Sequence, residues 1–221
     1  MAGLQRTFRG AYPKPAIASY DYIDVSEGSG IVVLYGIAGT SANTFTRETI
    51  PSNKVVQYGQ MTGDPNVKTK ALDVDYDLML NYPKTIKGKA VVAVSIGFNS
   101  IVNETNIISA KALIRKWDGT TETEIVSKES DTYEKLGVGI FSRTMLIEMD
   151  VPETNFKAGE YLRLTIEFYG TRPLGAAGSP YCGFGNDPAD RNDSTDYNPQ
   201  KIINDVDTTK LQFNCPFKID L

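Results

Sequence analysis

Histidine is missing from all 221 residues of the chain. Its absence removes the commonest general base near neutral pH, the commonest zinc ligand and every Ser–His or Cys–His catalytic pair. Any acid–base chemistry would fall to carboxylates, lysine or tyrosine. Cysteine is scarce too: Cys182 and Cys215 are the only two, too few for a disulfide framework. They either pair once or stay reduced, and nothing else in the sequence indicates secretion. The N-terminus, MAGLQRTFRG, lacks the apolar core of a signal peptide. No apolar run approaches the roughly 20 residues needed to cross a bilayer, so no membrane partner is expected. A basic excess is missing as well. The net charge of −4 argues against a dedicated nucleic-acid partner. There is no P-loop, Rossmann glycine fingerprint, Cys-x-x-Cys pair or nucleophile elbow. From these absences the chain is expected not to be an enzyme, and no cofactor or metal is expected.

What is present is β structure. Twelve Tyr, nine Phe and many Val, Ile and Thr tilt a 41% hydrophobic composition toward strands. The clearest stretch is Phe156 to Tyr169, FKAGEYLRLTIEFY. Leu162, Leu164, Ile166 and Phe168 fall on one face of an extended chain; Tyr161, Arg163, Thr165, Glu167 and Tyr169 fall on the other. Gly159 in the lead-in is free to take a positive φ. A second alternation sets Leu72, Val74, Tyr76, Leu78 and Leu80 inward, with Asp73, Asp75 and Asp77 outward. The three aspartates lie roughly 7 Å apart along a strand, too far for one ion without help, and are expected to form a solvated or partner-facing acidic stripe.

Further strands are expected at 31–35, 90–98, 107–117, 122–126, 142–150 and 211–221, with weaker ones at 44–50 and 54–58. Asp118-Gly119 between two extended runs is a hairpin signal, and Trp117 beside it is expected to pack as a cap. Residues 127–136 read as a loop or short helical turn. Pro216 in the last strand points to a sheet edge or a bulge. Strands recurring every ten to twenty residues, with no long amphipathic helix, mark a sandwich or barrel. The fold expected is all-β: a jelly-roll-like antiparallel β-sandwich over 28–221, preceded by an extended N-terminal arm, 1–27, and carrying a long C-terminal loop at 170–207.

The arm holds Arg6, Arg9 and Lys14 and no acid before Asp21. Pro13 and Pro15 keep it extended, and Leu4, Phe8, Tyr12 and Ile17 give it apolar surface to bury. It reads either as a frayed terminus or as an arm that docks on an acidic neighbour. The long loop carries six aspartates against Arg172, Arg191 and Lys201. Asp187, Asp190, Asp193 and Asp196 repeat every three residues, which does not match an EF-hand. A solvated acidic loop lying on a partner is the expectation. Tyr133, Tyr161, Tyr169, Tyr181 and Tyr197 are the candidates for a sugar-stacking face, the alternative being amphipathic interface residues.

At Phe156-Lys-Ala-Gly-Glu-Tyr-Leu-Arg-Leu-Thr-Ile-Glu-Phe168 the chain resembles jelly-roll modules found in carbohydrate-binding proteins and in virion proteins of tailed bacteriophages. The basic, proline-containing arm, the segment Asp187-Pro-Ala-Asp-Arg-Asn192 and the terminal strand Lys210 to Leu221 align it with the second group, the capsid decoration or head auxiliary proteins. That resemblance implies a structural virion protein on the capsid surface, bridging neighbouring subunits. It implies a major capsid protein or other virion subunits as partners, and a homo-oligomer, a trimer being favoured. The partner-binding residues expected are Arg6, Phe8, Arg9 and Tyr12 in the arm and Asp187, Asp190, Arg191, Asp193 and Asp196 in the loop. The alternative is a carbohydrate-binding or host-recognition module of the same fold.

Overall fold

The computed structural model describes residues 29–100, 103, 105–171, 181–191, 203 and 207–218. Among them there are twelve strands and no helix. The arm at 1–27, with Arg6, Phe8, Arg9 and Tyr12, lies outside the described residues, as do Asp193 and Asp196.

Two long strands organise the molecule. The first, β5 (Lys84–Ser100), is paired along its whole length with β9 (Gly139–Phe156). Its other edge is shared end to end by β12 (Gln212–Lys218) and β11 (Tyr181–Gly185). Beyond these lie β1 (Ser29–Ala38), paired with β12, and β3 (Val56–Gln60), paired with β11. The second long strand, β6 (Thr105–Trp117), pairs with β10 (Tyr161–Thr171) on one edge. Its other edge is shared by β7 (Glu122–Glu129) and β8 (Tyr133–Leu136). Next to β10 stands β4 (Lys68–Met79).

The two groups form the layers of a sandwich, with β5 over β6, β9 beside β7, and β3 and β11 against β4. They remain one sheet because β2 (Asn43–Thr46), antiparallel to β1, touches β4 through a single parallel pair, Thr44 with Asp77. Side chains reinforce that seam: Thr44 Oγ1 donates to the Asp77 carbonyl at 2.7 Å and Asn43 Nδ2 to the Asp75 carbonyl at 3.3 Å.

The core lies between the layers. Val92, Val94, Ile96 and Phe98 of β5, Ile147 of β9 and Phe213 of β12 point in from one side. From the other side Leu162, Leu164, Ile166 and Phe168 of β10 are fully buried, as their alternation predicts. Burying each stabilises the fold by about 1.5–3 kcal/mol relative to leaving it in water. Gly159 takes φ +86 and Gly119 φ +95, so both expected turns form. Asp118 accepts from the Thr120 and Thr121 amides at 2.8 and 2.7 Å, closing the hairpin. Pro216 marks a bulge and not an edge. The β12–β5 register shifts around it, opposite Gly88 at φ +116.

Three expectations are corrected. Residues 127–136 are mostly strand, because β7 runs on to Glu129 and Tyr133–Leu136 form β8, leaving only 130–132 as a connection. The strand expected at 142–150 does not end at Asp150 but is part of an 18-residue strand that continues through Pro152, with a register shift there absorbing the proline. The stretch 170–207 is not one loop, since Tyr181–Gly185 is a buried strand of the first layer. Its glycines serve close approach. A Cβ on Gly183 would stand 2.0 Å from the Gln57 carbonyl oxygen.

Candidate functional site

The outer face of the second layer is a network of opposite charges. Asp77 and Arg163 are direct partners in the β4–β10 ladder. The guanidinium Nε and Nη2 donate to the two carboxylate oxygens at 2.7 Å each, and Nη1 reaches Asp75 at 3.2 Å and Glu122 at 3.1 Å. The Asp77 carboxylate, followed by burial working the other way, holds the Arg163 guanidinium pKa above its ordinary value. Further along the same ladder face, past the Asp75–Thr165 pair, Lys70 bridges Asp73 at 2.7 Å and Glu167 at 3.1 Å. Burial works to raise the Glu167 pKa, but the bonds from Tyr169 and Lys70 outweigh it and leave it lowered. Lys68 pairs with Glu129, which also accepts from Ser109. The aspartate stripe is thus half-exposed and internally paired, with Thr165 bonded to Asp75 at 2.5 Å. Among the described residues no group of three metal-ligating side chains is gathered.

Where β4 borders β2 and β3, a polar cleft of about 500 Å³ opens. Asp73, Asp75, Asp77 and Arg163 line one wall, and Asn43, Lys54, Gln57 and Tyr58 line the other. Gln57 donates to Asn43 across its end at 3.3 Å.

Of the expected loop residues, Asp187, Asp190 and Arg191 lie among the described residues. Asp187 is fully buried. Its carboxylate accepts from the Ser52 amide at 2.7 Å and from the Arg191 amide at 2.8 Å, and Arg191 Nε lies 3.1 Å away. Beside it Asn186 accepts from the buried Tyr76 hydroxyl at 2.6 Å. Asp190, at φ +59, accepts from the Thr209 amide and the Thr208 hydroxyl, both at 2.7 Å. Asp187 and Asp190 therefore tie the segment after β11 to the body of the sandwich. Asp187, buried and fully engaged, does not present charge to a partner, which corrects the sequence expectation for it. Ser52, Tyr76 and Asn186 were missed because nothing local in the sequence marks a contact spanning 110 to 135 positions.

Among the described residues the candidate tyrosines form no shared platform. Tyr161 stacks on Trp117 with ring centroids 4.8 Å apart, and the Arg163 guanidinium lies 4.4 Å from the indole centroid. Trp117 is thus packed as a cap beside the hairpin. Tyr169 donates to Glu167, Tyr181 meets Tyr58 edge-on, and Tyr133 leans on Phe98. Tyr197 lies outside the described residues.

The outer face of the first layer is unlike the other. In register across β1, β12, β5 and β9 stand Tyr35, Gln212, Ala93 and Leu146, and in the next row Val33, Asn214, Val91 and Glu148. Ile31, Val33 and Leu146 are 37%, 39% and 67% exposed. The two amides satisfy one another, Gln212 Nε2 to Asn214 Oδ1 at 2.9 Å. Charge begins only at the rim, where Lys89 pairs with Glu148 and Glu153 with both Lys87 and Lys218.

No protein-family model matches the sequence, and no curated protein does. Solved structures match weakly. A CocE/NonD family hydrolase from Staphylococcus aureus is 12% identical, with a TM-score of 0.49 over 86% of this chain and 37% of its own. The infectious bursal disease virus Gx strain structure is 10% identical, with a TM-score of 0.37 over 87% of this chain and 37% of its own. Eiger TNF from S. frugiperda is 8% identical, with a TM-score of 0.31 over 86% and 93%. The chain spans little more than a third of the hydrolase and virus chains it matches. The expectation that the chain is not an enzyme is corrected by these neighbours. At such identities the likeness concerns the fold alone.

Proposed function

We propose that the chain is a structural virion protein that docks on the capsid surface and bridges or stabilises neighbouring subunits. The observation that carries this reading is the contrast between the two outer faces. The second-layer face has its charges matched internally and stays soluble. The first-layer face has an uncharged, partly apolar centre with a charged rim, the composition of a surface that meets another protein. Viral capsid proteins among the distant structural neighbours fit this reading at the level of the fold. The arm residues Arg6, Phe8, Arg9 and Tyr12 belong to it as a further contact, as do Asp190 and Arg191 and the expected Asp193 and Asp196. Repeated copies on one particle would add avidity. The partners in this reading are the major capsid protein or other virion subunits.

The test is direct. Particles produced by the host that carries this gene are purified on a density gradient and their proteins identified by mass spectrometry. The reading requires the chain in a fixed ratio to the major capsid protein. Its absence from washed, intact particles overturns the reading.

A further inference from the structure

We infer that the cleft between β4 and β3 is a binding site for an uncharged, hydroxyl-rich ligand, a sugar ring of a glycan. The inference stands on the cleft's own geometry and not on the docking role proposed above. The cleft measures about 500 Å³, within the range of small-molecule sites, roughly 300–1,000 Å³. One end is pinned in advance. Asn43 accepts from Gln57 Nε2 at 3.3 Å and donates to the Asp75 carbonyl at 3.3 Å, so a single amide ties the two walls together. A ligand meets a preformed site, and little ordering cost remains when it enters.

Gln57 supplies the unanswered group. Its side chain lines the cleft, yet the residue is only 7% exposed. Nε2 is engaged by Asn43, and among the described residues no donor reaches Oε1. That oxygen is not sealed in the interior, because it is not among the fully enclosed unpaired atoms. A nine-tenths buried side chain thus turns its open acceptor into the cleft. Buried polar groups are as a rule hydrogen-bonded, so a ligand donor belongs at this oxygen. On the facing wall Asp75 accepts from Thr165 at 2.5 Å and from Arg163 at 3.2 Å. A carboxylate has about four lone-pair positions, so it can take further donors. Acceptors on both walls call for a ligand with several donors. The exposed Tyr58 ring adds an apolar surface for the C–H face of a sugar, and its edge-on contact with Tyr181, centroids 6.0 Å apart, holds its plane.

Charge selects the class. Asp77 is forked by Arg163 and Asp73 is paired with Lys70. Asp75 has Lys54 on the wall opposite. Three carboxylates therefore face three cations, and neither a cation nor an anion meets a net field. What remains are hydrogen-bonding positions without net charge, which hydroxyls answer because each both donates and accepts.

NMR titration of the full chain with glucose, galactose, mannose and N-acetylglucosamine, each to about 100 mM, tests this. A ring of about twelve non-hydrogen atoms sets the dissociation constant at roughly millimolar. Amide shifts are expected to saturate with at least one sugar and to centre on residues 43, 54–58 and 73–77. Gln57→Met removes the acceptor and keeps the shape, weakening binding by about tenfold or more. Tyr58→Ala, at an exposed position, also weakens binding and carries the test if Gln57→Met fails to fold, as melting curves will show. Glu124→Gln, on β7, leaves binding as it was. Because the ligand is uncharged, affinity should hold between about 50 and 500 mM salt. No saturable shift with any of the four sugars overturns the inference. So do saturable shifts centred elsewhere, or binding that both cleft substitutions leave intact. Tighter saturation by putrescine or galacturonate, lost in high salt, would assign the cleft to an ion and overturn it as well.

Discussion

Arg163 and Asp77 face each other across the β10–β4 ladder, and their side chains form a two-bonded fork at 2.7 Å. The pair is only partly exposed, 15% for the arginine side chain and 23% for the aspartate. It lies between the surface ion pairs that contribute little and the buried ones whose rupture is costly. Arg163→Ala also strips the guanidinium from the Trp117 ring. The expected loss is about 1–3 kcal/mol, read as a lower denaturant midpoint with an unchanged slope. Arg163→Lys should recover only a small part, since an ammonium cannot make the fork.

Asp187→Asn should be costlier than its size suggests. The substitution puts an amide donor where the Ser52 and Arg191 amides already donate, and it leaves Arg191 beside a neutral group. A loss of about 2–4 kcal/mol is expected in urea unfolding. An equally stable variant would show that this knot does not hold the segment after β11.

Gly183→Ala should unseat β11. Its Cβ would stand 2.0 Å from the Gln57 carbonyl oxygen and 2.8 Å from the Tyr58 Cα, both backbone atoms that cannot swing aside. Hydrogen exchange should quicken in β11 and β3 while β10 stays protected. Equal protection in both layers would contradict the close approach.

Stability against pH should show a wide plateau with two shoulders. Glu129, Glu160, Glu167 and Asp190 all have lowered pKa values. For Glu160 the leading cause is the Lys116 hydrogen bond; for the other three, burial opposes and their hydrogen bonds and ion pairs prevail. A carboxylate with a depressed folded pKa stabilises above its unfolded value, near 4, and loses that contribution as pH falls through the folded one. Burial raises the Tyr76 hydroxyl and the Cys182 and Cys215 thiols. Groups raised on folding stabilise below their unfolded pKa and lose that as pH rises, so the upper shoulder begins above about pH 8.5. With no histidine, thermal midpoints from about pH 6 to 8 should coincide. A slope inside that window would contradict the assignment.

Both cysteines are buried and unbonded. In the native protein neither thiol should react with a maleimide or an aromatic disulfide reagent, and both should react in denaturant. Labelling at a rate faster than global unfolding would show local opening of β11 or β12.

The strands that alternate, β4 and β10, were legible because period-two burial is written in adjacent residues. The apolar run of β5 was equally plain, and Asp118-Gly119 announced its hairpin. Tyr181–Gly185 hid because its glycines look like loop residues, whereas they are small to let Gln57 and Thr209 come close. The charged stretch at 127–136 hid because strands at the rim of a sheet are exposed on both sides. Asp187 shows its charge in the sequence but not its burial. A buried acid and a solvated one look alike until the partner, here Ser52, is brought 135 positions closer by the fold. The pairing of the aspartate stripe with Arg163 and Lys70 was likewise beyond a reading that had no strand order.

The two strands that complete β5 on its second edge, β11 and β12, come more than eighty positions after it along the chain. During synthesis β5 and β9 can zip together early, but the second edge of β5 must wait for residues 181–218 to emerge. A ribosome-bound nascent chain stalled before residue 181 therefore holds a long, half-finished ribbon, a state that invites chaperone binding or premature coupling with a neighbouring nascent copy.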